Sequence, residues 1–148
     1  MKFLIQKVNK ANVEVDGEVI GAISEGLVVL IGIKEDDTKQ SADKLIEKTI
    51  NMRLFTQDYK HFDLSVQEIN GSVLLVSQFT LYADCRKGRR PDFIKAASAD
   101  QAKEIYNYII EKFTASGLQI ATGKFQAKML VNISNNGPVT IMLDSDNL

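Results

Sequence analysis

Residues 26–33 read Gly-Leu-Val-Val-Leu-Ile-Gly-Ile and form a nearly continuous apolar run. A run of this length, in which polar residues do not alternate with apolar ones, is typical of a strand that is covered on both faces of a sheet. The rest of the chain therefore has to supply structure on both sides of this strand.

Further strands are predicted by short β-rich segments, and two strong turn signals lie between them. Asp16-Gly17 and Asn70-Gly71 are the residue pairs that favour two-residue hairpin turns, so we expect the segments flanking each pair to form a hairpin. The strands predicted in this way are residues 2–8, 12–15, 18–23, 64–69, 72–81, 118–121, 127–133 and 139–143.

Two segments carry apolar residues at helical spacing. The first begins after an N-cap at Thr38 or Ser41 and extends to about Met52, and the second begins after Ser98 and stops at Gly117. Two helices and these strand segments, mostly in hairpins, predict an α+β fold in which both helices pack outside an antiparallel-rich β-sheet or barrel. No linker or repeat interrupts the pattern, so we expect residues 1–148 to form a single domain.

The composition is that of a globular protein, with 45% apolar and 25% charged residues in 148. No apolar run approaches the ~18 residues of a membrane helix, and the first residues turn polar too early for a signal peptide. A lone cysteine, Cys85, excludes an intrachain disulfide and fits a reducing compartment. We therefore expect a cytoplasmic protein with no membrane partner.

The side chains that most often carry catalysis are scarce, because the chain has one His, one Cys and no Trp. His61 lies in a polar turn and is interpreted as a surface residue, while Cys85 is interpreted as an inert thiol. Neither residue has partners at metal-ligand spacing, and the glycines match no phosphate-binding loop, so we expect no metal and no cofactor. Any chemistry would then depend on backbone donors, hydroxyls and amides.

Polar groups interrupt apolar strands at two places about sixty residues apart. At the first, Ser77-Gln78-Phe79-Thr80, the polar side chains either end a strand in water or form the edge of a site that binds an oxyanion. At the second, Asn136-Gly137-Pro138, the default interpretation is a turn between the last two strands. A cis Gly137–Pro138 bond would instead make a rigid edge that tests the stereochemistry of a small substrate by steric exclusion.

The sequence Arg86-Lys87-Gly88-Arg89-Arg90 places four cations within five residues, although the net charge of the chain is −1. Such a run is either a solvated loop or a local patch for phosphate groups. Its position directly after residues 77–82 would place positive charge at the mouth of a pocket.

Together these motifs resemble those of the D-aminoacyl-tRNA deacylase family. The resemblance covers essentially the whole chain, in residues 4–8 (LIQKV), 15–17 (VDG), 64–66 (LSV), 77–84 (SQFTLYAD), 86–91 (RKGRRP), 122–125 (TGKF) and 136–140 (NGPVT). It implies a homodimeric enzyme that hydrolyses the ester between a D-amino acid, or glycine, and the 3′-terminal adenosine of tRNA. Its partner would be aminoacyl-tRNA and not DNA.

The resemblance also implies roles for individual residues. Gly137 and Pro138 of one subunit would enter the pocket of the other and reject L-amino acids. Lys7 stands where the family usually has Arg, and Asn136 stands where Asp is common. The catalytic set would be Ser77, Gln78, Phe79 and Thr80, the substrate-binding set Lys7, Met129, Gly137 and Pro138, and the tRNA-binding set Arg86, Lys87, Arg89 and Arg90.

Thr80 resembles a nucleophile, but no adjacent base is visible in the sequence to activate its hydroxyl. The favoured mechanism is attack by water, with the backbone N–H groups around Phe79 stabilising the oxyanion and the tRNA 2′-OH assisting. Two alternatives stay open: a non-catalytic tRNA-binding module, and a hydrolase of small D-amino-acid esters or peptides.

Overall fold

The computed structural model describes residues 1–58 and 61–148. The described residues form a mixed sheet, a short two-stranded ribbon and two α-helices, with 3₁₀ turns at Phe79–Tyr82 and Ser145–Asn147. None of the helices in this part of the chain is long and apolar enough to cross a membrane. The elements are β1 (Lys2–Val15), β2 (Glu18–Ile23), β3 (Gly26–Gly32), α1 (Lys39–Asn51), β4 (Arg53–Phe55), β5 (Leu64–Ser65), β6 (Ser72–Ser77), α2 (Ala99–Ala115), β7 (Gln119–Thr122) and β8 (Leu130–Asp144).

The main sheet is mixed: in the described residues three of its strand pairings are antiparallel, as the hairpin signals led us to expect, and two are parallel, which those signals did not predict. Its strand order is β2-β1-β3-β6-β7, with β8 on the other side of β1. β1 pairs antiparallel with β2, β3 and β8, whereas β3, β6 and β7 are parallel. A Cβ on Gly21 of β2 would lie 2.7 Å from the carbonyl oxygen of Thr122 in β7. This close approach brings β2 against β7, so the sheet is nearly closed into a barrel.

Only one of the two predicted hairpins is confirmed. Asp16 and Gly17 have φ values of 53° and 83° between β1 and β2, as a type I′ turn requires. The hairpin at Asn70-Gly71 is wrong, because β5 pairs with β4 while β6 lies between β3 and β7. Residues 73–76 of β6 are apolar and almost completely buried, so this strand needs the two-sided cover of a central position.

Strand β8 replaces the two strands and the intervening turn that the sequence predicted. It pairs with β1 along its whole length, and β1 likewise joins two predicted strands into one. The pairing is irregular only near its middle, where Gln6 pairs with Thr140 and Val8 pairs with Asn135. Residues 136–139 therefore form a bulge opposite Lys7 instead of a turn.

Both helices cover one face of the sheet and begin at the predicted caps. Thr38 and Ser41 form a capping box at α1, Ser98 caps α2, and Gly117 follows α2 with φ 83°. The core beneath them includes Phe3, Leu27, Leu45, Tyr106 and Phe113. A smaller core on the opposite face contains Val28, Leu74 and Val76, against which Val131 and Ile133 of β8 pack.

Candidate active site

A cavity of about 630 Å³ opens at the end of the sheet where β3 and β6 stop. These strands are parallel neighbours, so their carboxyl ends lie at the same edge, the usual position of ligand sites in sheets of this kind. The wall contains Ser77, Gln78 and Phe79 from the β6 end, Ala97 and Ala99 near the start of α2, and Phe125, Gln126 and Met129 from the segment between β7 and β8.

The segment Ser77–Thr80 turns away from the sheet at this edge. The Gln78 N–H donates to the Ile31 carbonyl at 2.7 Å, and this hydrogen bond holds the end of β6 against β3. The Gln78 side-chain amide donates to Thr80 Oγ1. Of the four residues predicted to be catalytic, three line the cavity, whereas Thr80 lies exposed in the following 3₁₀ turn.

The first residues of this 3₁₀ turn leave backbone donors unused. Within the described residues, the N–H groups of Phe79 and Thr80 have no hydrogen-bond acceptor. No imidazole or carboxylate in the same part of the chain hydrogen-bonds to Thr80 Oγ1. The predicted surface position of His61 is confirmed, since its side chain is 81% exposed. The site therefore offers backbone donors and no base beside the threonine.

Aromatic rings lie at the mouth of the cavity. Phe79 is 57% exposed, and its ring packs edge-to-face against Phe93 with centroids 4.9 Å apart. Phe125 lines the same cavity, with its ring centroid 5.8 Å from that of the buried Tyr106. Burial raises the pKa of the Tyr106 hydroxyl, which donates to the Leu75 carbonyl at 2.9 Å. Sequence reasoning missed Phe93, because an aromatic residue in an irregular loop carries no periodic signal.

The Gly137–Pro138 peptide is cis, and Gly137 has a φ of +121°. The bulge that contains it is held at both ends by amide side chains. Gln6 Nε2 and Asn135 Nδ2 donate to Thr140 Oγ1 at 3.1 and 3.0 Å. Asn136 Nδ2 donates to Asn9 Oδ1 at 2.7 Å. The asparagine at position 136 thus ties the bulge to β1 by an amide hydrogen bond.

Lys7 is buried opposite the bulge, with a relative exposure of 8%. Its Nζ lies 5.2 Å from the centroid of the Phe55 ring, within the range of a cation–π interaction. It makes no ion pair with any carboxylate in the described part of the chain. The positive charge of Lys7 therefore lies against the Phe55 ring and not against a carboxylate of the described residues.

The two polar motifs do not meet within one chain. Lys7 pairs with Leu27 in β3, whereas Ser77 pairs with Ile31, four residues further along the same strand. At about 3.3 Å per residue the two levels differ by about 13 Å, and β1 and β3 separate them laterally as well. The structure thus groups Lys7, Gly137 and Pro138 at one place. Met129, predicted to act with them, lies with Ser77, Gln78 and Phe79 in the cavity wall.

Residues 4–144 match the family model described as D-Tyr-tRNA(Tyr) deacylase. The chain belongs to this deacylase family. Among curated deacylase-family relatives, the D-aminoacyl-tRNA deacylases of Kosmotoga olearia and Aquifex aeolicus are each 48% identical to it over 145 residues. The alignments cover 98% of this chain and 97% and 98% of the two relatives.

Solved structures also have folds similar to that of this chain. One, described as a c-Myc DNA unwinding element binding protein, has a TM-score of 0.91 and 41% identity, covering 97% of this chain and 98% of that one. Another, described as a probable eukaryotic D-amino acid tRNA deacylase, has a TM-score of 0.82 at 16% identity. At that identity the likeness concerns the fold, which confirms an α+β architecture with a barrel-like sheet.

The basic segment forms a loop whose ends are joined by backbone hydrogen bonds. Asp84 and Asp92 exchange N–H to carbonyl bonds of 2.9 and 3.0 Å. The Arg86 guanidinium pairs with the Asp84 carboxylate, and this hydrogen bonding holds the pKa of that carboxyl well below its usual range. Lys87, Arg89 and Arg90 are exposed and make no ion pair within the described residues. Only residues 80–83 separate this loop from Phe79 in the cavity wall.

Proposed function

We propose that this chain hydrolyses the ester bond of D-aminoacyl-tRNA in the cytoplasm and releases the D-amino acid and free tRNA. The observation that carries the proposal is the cavity at the ends of β3 and β6, in a chain of the deacylase family. Its polar side chains, those of Ser77, Gln78 and Gln126, lie beside a largely apolar wall, an arrangement that suits a small substrate end with one reactive ester.

In the proposed mechanism a water molecule attacks the ester carbonyl carbon. The negative charge that develops on the carbonyl oxygen is stabilised by the N–H groups of Phe79 and Thr80. The bond to the 3′-oxygen of the terminal ribose then breaks, and this oxygen takes up the proton that the attacking water loses, with the neighbouring 2′-OH assisting the transfer. Two observations favour this scheme: these N–H groups have no acceptor in the described residues, and no base hydrogen-bonds to Thr80.

Rejection of L-amino acids is assigned to Gly137 and Pro138 of a second subunit. Within one chain these residues lie about 13 Å along the strands from the cavity level, so a joint site would need a second copy. In the described residues β8 pairs only with β1, and its exposed Leu130 and Met142 are available for such a contact. Glycine has no side chain to exclude, so glycyl-tRNA is expected to be a substrate as well.

A deacylation assay with paired D- and L-tyrosyl-tRNA tests the proposed function. We expect release of D-tyrosine, while L-tyrosyl-tRNA persists at the uncatalysed rate. Equal hydrolysis of both esters, or of neither, would contradict the proposal. Activity on D-tyrosine methyl ester equal to that on D-tyrosyl-tRNA would instead identify a hydrolase of small esters.

Replacing Thr80 with alanine is expected to leave kcat/KM within about tenfold of wild type, because a positioning hydrogen bond contributes about 0.5–1.5 kcal/mol. Thr80→Val, which retains the side-chain shape, should behave in the same way. Single-turnover deacylation of D-tyrosyl-tRNA measures both variants. A fall of more than about a thousandfold, with the circular dichroism spectrum unchanged, would show that the hydroxyl is the nucleophile.

The basic loop is expected to bind tRNA through the cations that have no carboxylate partner. Each of Lys87→Ala, Arg89→Ala and Arg90→Ala should weaken tRNA binding and reduce the slope of log affinity against log salt by roughly 0.7–0.9. Arg86→Ala serves as the matched control and should have a smaller effect, because its guanidinium is already paired with Asp84. The slopes are measured by binding titrations between about 50 and 200 mM salt, a range over which the affinity for phosphate groups changes strongly. The largest loss in Arg86→Ala would argue against this assignment.

A second candidate function is nucleic-acid binding without turnover. It is favoured by the same three cations and by the similar structure described as a DNA unwinding element binding protein. This alternative predicts equal affinity for charged and uncharged tRNA, or a preference for DNA, and no release of amino acid. The deacylation assay, run beside a competition between tRNA and duplex DNA, separates the two candidates.

A further inference from the structure

We propose that the side-chain amide of Gln126 recognises the adenine base at the 3′ end of the tRNA, an assignment that rests on the proposed function of the cavity. Recognition of this base would allow the enzyme to distinguish an ester on tRNA from an ester on another carrier. The inference depends on the backbone at Gln126, on its position in the cavity wall, and on the chemistry of a primary amide.

The backbone at Gln126 is unusual for its residue type. Gln126 has a φ of +61°, and the Ala127 N–H donates to the Lys124 carbonyl at 3.1 Å, so it occupies the third position of a β-turn. Glycine or asparagine is the ordinary residue at a turn position with positive φ. In residues 1–58 and 61–148 the other non-glycine residues with positive φ are Asp16 and Asn70, whose types tolerate it. A glutamine here carries a conformational cost that local structure does not explain, and such outliers cluster at functional sites.

The side chain of Gln126 lies in the cavity wall and is exposed. It makes no hydrogen bond to any residue in the described ranges. The other primary amide in the wall belongs to Gln78, and its nitrogen already donates to Thr80 Oγ1. Of the two amides, Gln126 is therefore the one whose donor and acceptor are both available to a ligand.

The surroundings of Gln126 fit a flat aromatic base. The rings of Phe79, Phe93 and Phe125 line the same cavity, and aromatic side chains stack on nucleobases. A primary amide presents one donor and one acceptor in a plane, which complements the N7 acceptor and N6 amino donor of adenine. Stacking alone would accept any base, whereas the amide would select adenine.

The test is a double-mutant cycle between the protein and the substrate. The variant is Gln126→Met, which keeps the length and the backbone strain but removes the amide. The substrates are D-tyrosyl-tRNA ending in adenosine and the same tRNA ending in purine riboside, which lacks the 6-amino group. We expect wild type to lose about 5- to 150-fold in kcat/KM with purine riboside. Gln126→Met should lose a similar factor with adenosine and nothing further with purine riboside.

Two further variants separate the amide from the strained backbone. Gln126→Gly should also lose the preference for adenosine while raising the melting temperature, since glycine adopts this φ without cost. Gln67→Met, an exposed glutamine outside the cavity wall, should keep the wild-type preference. Retention of the full adenosine preference in Gln126→Met would overturn the inference even if D-tyrosine is released. Absence of D-specific release by wild type would instead overturn the proposed function.

Discussion

A Gly137→Ala variant is expected to lose most of its discrimination against L-tyrosyl-tRNA. The φ of +121° at Gly137 is one that a residue with a side chain rarely adopts. An added Cβ would also lie 2.7 Å from Val139 Cγ2 and 3.0 Å from the Val139 nitrogen. The bulge must therefore shift and carry Pro138 with it. We expect the ratio of D to L hydrolysis to fall by roughly 100-fold, which corresponds to about 2.7 kcal/mol.

The matched control for this variant is Gly117→Ala. Gly117 has a φ of +83°, and a Cβ there would meet no atom within 4 Å. Gly117→Ala should lower the free energy of unfolding by about 1–2 kcal/mol, because it forces a non-glycine residue into the left-handed region. Gly137→Ala should lower it by at least as much, because its Cβ also meets Val139. Only Gly137→Ala should change the D to L ratio, measured by parallel deacylation of the two esters. Unchanged rejection of L-tyrosyl-tRNA would remove Gly137 from the selectivity mechanism.

An Ala99→Trp variant is expected to lose at least about 100-fold in kcat/KM, chiefly through KM. A tryptophan side chain is large, with roughly 150–250 Å² of surface that can be buried, so it would fill much of the cavity. Ala99 is the first residue of α2, and its small side chain lines the cavity at an exposed position. A large ring there would occupy the space in which the substrate end is proposed to bind. Because the position is exposed, stability should change by no more than about 0.5 kcal/mol.

Lys103→Trp is the control for this substitution. Lys103 lies one turn further along α2, is exposed, and does not line the cavity. We expect steady-state deacylation of D-tyrosyl-tRNA by Lys103→Trp to match wild type, and both tryptophan variants to have nearly the wild-type melting temperature. Full activity in Ala99→Trp would place the reaction outside this cavity.

Mixing the two functional variants tests whether the site is shared between subunits. In a mixed dimer, the intact cavity of the Gly137→Ala chain would receive Gly137 and Pro138 from the Ala99→Trp chain. One selective site per dimer should therefore be restored, so hydrolysis of L-tyrosyl-tRNA should fall in the mixture while hydrolysis of D-tyrosyl-tRNA persists. Activities that are simply the average of the two separate variants would indicate that each chain works alone.

Several features follow from short stretches of sequence, because their causes are local. The helix caps at Thr38 and Ser98 need only one side chain and the next three residues, and Asp16-Gly17 forms its turn from its own backbone preferences. The polar motif Ser77-Gln78-Phe79-Thr80 could likewise be recognised from the order of its residues. The motif lies where β6 ends, as the change from apolar to polar residues indicates.

Other features depend on residues that are distant in the chain. Asn70-Gly71 carries the local signal of a hairpin, yet β6 does not pair with β5, the strand before this turn, and lies in the sheet between β3 and β7. Burial of an apolar strand on both faces outweighs the preference of a two-residue turn. In the same way, continuous pairing with β1 turns the predicted turn at residues 136–138 into a bulge within β8.

By itself the sequence determined the two helices with their caps, the positions of most strand segments and the two polar motifs, since these depend on neighbouring residues and on the alternation of polar and apolar side chains. The tertiary structure alone decided which strands pair in parallel and which residues meet in space. It keeps the two polar motifs apart within one folded chain, and it brings Gln126 and Phe93 together with Ser77 in one cavity. The physical reason is that pairing and cavities result from burial between segments far apart in sequence, and no local preference specifies which segments those are.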